Sequence, residues 1–411
     1  DEATRARLEA AGELLALDAP FYPGITPVPK YQYGLGTFKD EKTALPLHAD
    51  PKDSERVVVF ETPKPGPNEA LVFVLASEVN FNDIWALTGI PVSPFDQRDE
   101  DVHVTGSGGV ALIAQLGEEL VREGRLSVGQ IVTLYSGQSE LLSPDQGLDP
   151  MAADFRIQGY ERNDGSHAQF LVVQGPQLHP KLPGLTLEEA GSYGLNLGTI
   201  HRALFTTLGI QPGKRLFVEG AATGTGLETL RSAKQTGLSV VGMVSSEERA
   251  ERVRTFGGAP VNRKDSRWAK IFTPVPEGKE KWDEWETAGE EFVRATHDAA
   301  GGPLDYVVSH AGERAFSRSF QLLGDGGVLT FFGASSGYRF SFMGKPGAEK
   351  TSTMLSRAGL RAGRALLVNY GAGATDGIVD PVAVEAIEVG CAFGARVAVL
   401  VDTVSQREFV T

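Results

Sequence analysis

The sequence predicts an α/β protein in which a β-rich domain precedes a doubly wound parallel sheet, with a partial second unit of the same kind at the C-terminus. Three observations carry this expectation. Apolar residues 215–218 break into the glycine-rich turn Gly220-Ala221-Ala222-Thr223-Gly224-Thr225-Gly226, and helical spacing follows over residues 227–236. A second apolar strand over residues 239–244 returns after a helix of suitable length, and a third element follows Gly257-Gly258 near Val261. Right-handed strand, helix, strand crossovers place such units in one parallel sheet. Upstream, apolar runs bounded by Gly and Pro recur without helical spacing, as expected of strands.

Each element follows from local pattern. Residues 3–17 put Leu8, Ala11 and Leu15 on one helical face, so residues 1–30 read as an amphipathic docking or linker segment. Residues 56–62 and 70–77 read as a hairpin interrupted by Pro63, Pro65, Gly66 and Pro67, and residues 107–114, 128–135 and 168–173 as further strands. Helical spacing over 185–208 sets Leu195, Thr199 and Ala203 on one face. Residues 264–281, rich in Pro, Lys and Glu, read as a surface loop, and Trp285, Ala288, Phe292 and Ala295 mark the buried face of a helix. A strand over 304–309, a helix over 314–323 and a strand over 328–332 complete the sheet. Gly333-Ala334-Ser335-Ser336-Gly337-Tyr338 then lies at a strand's carboxyl end, where open α/β sheets bind ligands. Residues 364–370, 371–374, 382–393 and 396–401 repeat the order strand, small-residue turn, helix, strand, without a phosphate-binding glycine string. The expected divisions are therefore a helical segment 1–30, a β-rich domain 31–200, a nucleotide-binding domain 201–345 and a partial second unit 346–411 of structural or docking character.

Composition narrows the class. A chain of 411 residues, 41% hydrophobic and 22% charged, is globular and long enough for a large core in two or three domains. No apolar run has the length of a membrane span and no signal pattern opens the chain, so a cytoplasmic protein without membrane partners is expected. A net charge of -14 argues against nucleic acid, whose binding relies on clustered Lys and Arg. Any anionic ligand must then meet a local basic patch. The single cysteine, Cys391, excludes an internal disulfide framework and a cysteine-rich zinc site, and the seven histidines lack paired metal-binding spacing, so no metal is expected. The chain begins with Asp1, which suggests a piece of something longer, and its oligomeric state stays open.

The glycine turn suits a dinucleotide, because small residues let the backbone approach a pyrophosphate while the helix start presents free N–H groups. The second strand ends in Ser245-Ser246, with Arg249 close behind, instead of an acid for a ribose 2′-hydroxyl. Two hydroxyls and a guanidinium suit a 2′-phosphate, so NADPH is expected over NADH. Glu247 and Glu248 oppose this reading unless they are first-turn acids directed away from the site.

Several stretches together resemble the medium-chain dehydrogenase/reductase superfamily. They are residues 76–85 (Ala-Ser-Glu-Val-Asn-Phe-Asn-Asp-Ile-Trp), Gly159-Tyr160-Glu161, Gly165-Ser166-His167-Ala168-Gln169, residues 194–199, Ser309-His310-Ala311-Gly312 and residues 333–338. Within the superfamily the chain is similar to the enoyl-CoA reductase branch that includes crotonyl-CoA carboxylase/reductases. It looks most like the acryloyl-CoA reductase portion of propionyl-CoA synthase fusion enzymes. The resemblance implies a GroES-like β-rich catalytic domain joined to a Rossmann domain, an acyl-CoA substrate and the other domains of a fusion enzyme as partners. It implies hydride transfer to the β-carbon of an unsaturated thioester, then protonation or carboxylation at the α-carbon. Asn82, Tyr160, Glu161 and His310 match positions with which carboxylating relatives hold CO2, except that Tyr160 stands where those relatives have Phe, which implies reduction without carboxylation. Thr199, Gly220, Ala222, Thr223, Gly224, Thr225, Gly226, Ser245, Ser246, Arg249, Gly333, Ala334 and Ser335 match the cofactor site. Thr223 replaces a glycine usual in relatives. Zinc-dependent members carry a Cys near Asn80 and a His-Glu pair near Gly106, where this chain has Phe81-Asn82 and Ser107-Gly108.

Local sequence leaves alternatives. Asn82 also reads as a turn residue, Tyr160 as a half-buried aromatic, Glu161 as a solvated loop acid, His310 as a satisfied core group and Thr199 as bonded to its own helix. Tyr160, His310 and bound water all remain candidates for the proton donor. Three functions stay in contention: an NADPH-dependent acryloyl-CoA reductase, a reductive carboxylase and a nucleotide-binding scaffold without turnover.

Overall fold

In a computed structural model, the chain divides into two compact units, Asp1–Leu195 and Asn196–Thr411. The structure describes residues 2–43, 45–46, 51–89, 93–96, 100–139, 156–163, 165–274, 276, 279–333 and 335–336, and the backbone of 365–367 and 397–398.

The first unit is built on antiparallel pairs. β1 (Tyr31–Phe38) lies between β2 (Arg56–Glu61) and β4 (Val102–Val104), while β3 (Glu69–Ser77) lies in a second sheet. That sheet adds β5 (Gly109–Leu116), β6 (Ile131–Leu134), β9 (Phe170–Gln174) and β10 (Leu178–Pro180) in the order β10-β6-β5-β3-β9, and β7 (Gly137–Gln138) pairs with β8 (Arg156–Ile157). The hairpin expected from residues 56–62 and 70–77 does not form. β2 pairs with β1 from Tyr31↔Glu61 to Gly36↔Arg56, and β3 pairs with β5 and β9. Three prolines in the link fix φ and remove three amide donors, so it carries the chain from one sheet to the other without closing a two-residue hairpin. Ala70, Leu71 and Val72 are fully buried, which a central strand with neighbours on both edges provides.

The N-terminal helix is shorter than its pattern suggests. It spans Glu2–Ala10 and buries none of its residues. Gly12, at φ 69°, ends it in the left-handed conformation, so Leu15 leaves the helical face and packs half-buried against the cluster of Phe21 and Phe170, while Leu14 is buried. Side chains still tie the segment down: Tyr33 Oη donates to Glu9 at 2.7 Å and Gln169 Nε2 donates to the Leu15 carbonyl at 3.0 Å.

The second unit is one parallel sheet. β11 (Arg215–Val218), β12 (Ser239–Val244), β13 (Ala259–Asn262), β14 (Leu304–Ser309) and β15 (Leu323–Phe331) stand in the order β13-β12-β11-β14-β15. Strand residues alternate between two cores, as period-two side chains require: Phe217, Val241 and Val307 face one, Leu216, Val218 and Val308 the other. The order reverses between β11 and β14, which opens a crevice at their carboxyl ends.

Three expectations change here. The stretch 264–281 is not wholly a surface loop, since Trp268 and Ile271 are buried and Trp268 packs on Phe292 with centroids 5.8 Å apart. The buried face of the helix Lys279–Ala300 is rotated: Gly289, Phe292, Thr296 and Ala300 are buried while Ala288 is exposed. The absent side chain of Gly289 makes room for Arg318, whose guanidinium lies 3.5 Å from the centre of the Trp285 ring. β15 begins at Leu323, with a register irregularity between Leu304 and Tyr306, so the helix before it is only Phe316–Gln321. As for the expected second nucleotide unit, its described parts, β16 (Ala365–Leu367) and β17 (Val397–Ala398), pair in parallel and extend the same sheet beyond β15. The remainder of 346–411 lies outside the described residues.

Phe292 contacts the rings of Phe217, Trp268 and Phe272 edge-on with centroids 5.3–6.3 Å apart. Phe292→Ala is expected to destabilise the second unit by about 3–5 kcal/mol, seen in urea unfolding as a lower midpoint at unchanged slope.

Candidate functional site

The phosphate-type turn is held by contacts that only glycine permits. Gly220 sits at φ 52°, and a Cβ on Gly226 would lie 2.3 Å from the Gly220 carbonyl oxygen and 2.7 Å from the Ala221 backbone. A Cβ on Gly242 would lie 2.5 Å from Ala221 Cβ, so β12 also needs glycine for the turn to seat. Thr223 caps the helix Gly224–Gln235: its Oγ1 accepts from the Gly226 amide at 3.2 Å. The threonine that departs from the usual glycine thus organises the helix start. Around Gly224 the space is open, with only Asn196 Nδ2, at 3.8 Å, within 4 Å of where a Cβ would be. This is a cradle at a helix start with no side chain crowding Gly224, and it fits a pyrophosphate. Ala222 is half-buried and Thr225 Oγ1 lies 3.4 Å from Thr223 Oγ1.

At the end of β12, Ser246 caps the helix Glu247–Thr255 by accepting from the Arg249 amide at 3.3 Å, and Arg249 Nη1 donates to Ser245 Oγ at 3.0 Å. Glu247 pairs with Arg254 at 2.8 Å and Glu248 with Arg252 at 3.0 Å, both directed along the helix. The acids are committed elsewhere, and an exposed guanidinium with two hydroxyls is left at the strand end. Farther along the sheet, Gly333 sits at φ 59°, Ser335 Oγ reaches the Ala311 carbonyl at 3.5 Å and Ser336 N donates to it at 2.8 Å. The loop after β15 is thereby tied to the loop after β14. Ala334 lies outside the described residues. Thr199 is half-buried on the helix Gly194–His201, which runs into a π-helical stretch, Arg202–Thr207, of a kind often found beside functional sites.

His310 follows β14 and stacks on Phe332 with centroids 5.5 Å apart and planes 11° from parallel. Its ring lies where a side chain on Gly220 would be, 2.7 Å from the virtual Cβ to Cε1. Nε2 is buried without a hydrogen-bond partner among the described residues, and burial pushes the imidazole down to about 4, so it is neutral near pH 7. Sequence reasoning missed the residue behind it. Glu219 is fully buried, and its Oε2 accepts from the amides of His310 at 3.2 Å and Ala311 at 2.9 Å, while Oε1 accepts from the Ser319 hydroxyl. Burial holds its carboxyl above the ordinary range, against these hydrogen bonds. The one signal was an acid where an apolar strand runs into the glycine turn.

In the first unit, the structure brings Asn82, Tyr160 and Glu161 to one corner. Asn82 is buried on the helix Phe81–Thr88, next to Asp83, whose Oδ2 accepts from the Asn80 amide at 2.6 Å and whose Oδ1 accepts from the Gly106 amide at 3.0 Å. A Cβ on Gly159 would lie 2.0 Å from the Gly106 carbonyl oxygen, so the turn carrying Tyr160 rests on the backbone that Asp83 holds. Tyr160 is fully buried, 6.2 Å from the Trp85 ring on the same helix as Asn82. Glu161 is half-buried, and its Oε2 accepts from the Ile157 amide at 2.9 Å. A solvated loop acid and a half-buried aromatic are therefore both set aside.

Behind this corner lies a charged cluster that no local pattern indicated. Thr105 Oγ1 donates to Glu55 at 2.7 Å and lies 2.9 Å from His167 Nδ1, while His167 Nε2 lies 3.0 Å from the Glu78 carbonyl. With the threonine proton on the carboxylate, both ring nitrogens face acceptors, an arrangement that favours the charged imidazolium. Burial opposes that charge, but Glu55 and Asp83 outweigh it and raise the group above its ordinary value, while the bond to His167 lowers Glu55. Glu78 takes the place of a side chain at Gly108, where a Cβ would lie 2.0 Å from Oε1, and burial pushes its carboxyl up to about 7. Among the described residues, no group of three or more His, Cys, Asp or Glu side chains is placed to hold a metal ion.

The two histidines make opposite contributions to stability. His310, lowered from 6.5 to about 4, binds its proton more readily unfolded, so stability falls as pH drops from 6.5 through 4, by on the order of 3 kcal/mol. His167, raised above 6.5, contributes stability that is complete below 6.5 and lost as pH rises through its folded value. Urea unfolding across pH is expected to show a shallower acid decline in His310→Phe and a shallower alkaline decline in His167→Gln.

No family model matches the chain. A crotonyl-CoA carboxylase/reductase of Cereibacter sphaeroides is 32% identical over 351 residues, covering 82% of this chain and 79% of that protein. An acryloyl-coenzyme A reductase of Sulfurisphaera tokodaii is 24% identical over 206 residues, 50% of this chain and 60% of that protein. A solved crotonyl-CoA carboxylase/reductase in complex with NADP superposes with a TM-score of 0.73 at 25% identity, over 86% of this chain and 84% of that one.

Proposed function

The chain belongs to the crotonyl-CoA carboxylase/reductase family of the medium-chain dehydrogenase/reductases, and from that premise we propose that it reduces an α,β-unsaturated acyl-CoA thioester with NADPH, acryloyl-CoA to propionyl-CoA. The observation that carries the cofactor choice is the end of β12, where Arg249 and Ser245 are joined and the neighbouring acids are paired away. The turn 220–226 would take the pyrophosphate, Ser245, Ser246 and Arg249 the 2′-phosphate, and Thr199 with residues 333–335 the nicotinamide end. When bound, the cofactor supplies the hydride for the β-carbon.

The remaining work falls to the chain's own side chains. Reduction at the β-carbon shifts charge onto the thioester oxygen, where preorganised donors are worth most. Asn82, whose backbone is fixed by the Asp83 bonds to Asn80 and Gly106, offers an amide N–H for that oxygen. In the second unit, His310 is neutral near pH 7, and its Nε2 is buried without a hydrogen-bond partner among the described residues. Glu161, bound to the Ile157 amide, keeps the turn of Tyr160 in place. Tyr160 carries a hydroxyl where the carboxylating relatives have Phe, and that polar atom favours a proton over CO2 at the α-carbon. We place the chain as the reductase part of a propionyl-CoA synthase, with the other domains of that fusion as its partners. A second reading, reductive carboxylation, is favoured by the kept Asn82, Glu161 and His310.

With NADPH and acryloyl-CoA, propionyl-CoA is expected both with and without bicarbonate. Methylmalonyl-CoA as the main product with bicarbonate would establish the second reading instead. Tyr160→Phe is expected to raise the carboxylated share. Arg249→Ala removes a charged partner of the 2′-phosphate and is expected to raise the KM for NADPH by about 10-fold or more while leaving that for NADH nearly unchanged.

A further inference from the structure

We propose that Glu219 is a positioning residue for this reaction: its carboxylate staples the end of β11 to the end of β14 and thereby fixes His310 at the crevice. The inference rests on the function proposed above. β11 and β14 are the two strands between which the sheet order reverses, so the space beyond their carboxyl ends is where the fold places a ligand. Glu219 bonds across that junction with both backbone and side chain. Its amide donates to the Val308 carbonyl at 3.0 Å, and Oε2 takes the amides of His310 and Ala311. Oε1 takes the hydroxyl of Ser319 from the helix that follows the loop.

A fully buried carboxylate at the end of the run Leu216-Phe217-Val218 is a costly choice for a strand, since an apolar residue would pack there without desolvating a charge. What it provides is orientation. The His310 ring has a stacking partner in Phe332 and a wall in Gly220, and Nε2 meets no hydrogen-bond partner among the described residues. The imidazole is thus held by the Phe332 stack, by the Glu219 backbone and by its own backbone, and the Glu219 carboxylate fixes the last of these. The residue after Glu219 is Gly220 itself, so two consecutive positions set both the anchor and the wall of the ring. The phosphate turn is secured separately, by Thr223 N to the Gly220 carbonyl at 2.9 Å, Ala221 N to the Met243 carbonyl at 3.1 Å and the Thr223 cap. Losing the carboxylate should then impair turnover while sparing NADPH binding.

The experiment compares Glu219→Leu, Glu219→Asp and Glu219→Gln in the full chain. Glutamine retains a carbonyl for the two amides and an N–H for Ser319, and should stay within about threefold of the parent kcat. Leucine and aspartate, the second withdrawing the carboxylate by one methylene, should lower kcat at least about 10-fold with an NADPH Kd within about threefold of the parent. Adding His310→Ala to the leucine variant should cost little more, as expected for residues acting as a unit. Should leucine fail to fold, aspartate carries the test. Unchanged kcat in the variants that fold, or loss of NADPH affinity in parallel with kcat, overturns the inference. Histidine NMR with 13C-labelled side chains needs no turnover: the His310 ring resonances should shift and broaden in the leucine or aspartate variant as the ring loses its fixed place against Phe332, and ring resonances unchanged from the parent also overturn it. A parent enzyme that reduces no enoyl-CoA refutes the functional reading alone, and the NMR comparison then decides the role of Glu219.

Discussion

The second unit depends on one close approach of backbone to backbone, that of Gly226 to the Gly220 carbonyl, nearer than any side chain allows. That contact folds the turn after β11 back over its own strand and starts the helix at the crevice. The same crowding at Gly220 leaves room for the His310 ring, and crowding at Gly242 seats the neighbouring strand against Ala221. Phosphate cradle, histidine and second strand are thus set by the absence of three side chains. Bulk at any one of them displaces the others.

Buried charge is the second constraint, and the fold meets it with local partners each time. Glu219 collects two backbone amides and a serine hydroxyl. His167 is balanced by Glu55 through Thr105 and by Asp83 on the adjacent helix. Arg318 gives its guanidinium to the Ile271 carbonyl, Gln321 and the face of Trp285. A charge withdrawn from water is tolerable when its donors and acceptors are saturated. The three clusters differ in use. Arg318 closes the core under the sheet, His167 lies behind the Asn82 corner, and Glu219 stands at the end of the strand that enters the phosphate turn.

Much of the fold was legible along the chain because its causes are local. The strands 239–244 and 304–309 follow from periodicity and lie where their pattern puts them, and the helix expected over 227–236 forms with its start three residues earlier, at Gly224. Errors arose where the deciding partner is distant. The proline-rich link after β2 looks like a turn until β1 is seen to take that strand. Trp268 looks exposed in a polar stretch until Phe292 is seen above it. Leu15 looks helical until Gly12 is found at φ 69°.

The sequence alone determined the order of the two kinds of sheet, the phosphate-type turn and the basic end of the second strand, since these are written in neighbouring residues. Only the tertiary structure decided which ionisable groups act together. Glu55, Asp83, Thr105 and His167 meet across more than a hundred residues of chain, and Glu219 finds His310 ninety-one positions away. The physical reason is the range of the forces. Backbone preference and hydrophobic period act over a few residues, whereas burial and hydrogen bonding act between whatever atoms the packed fold makes neighbours.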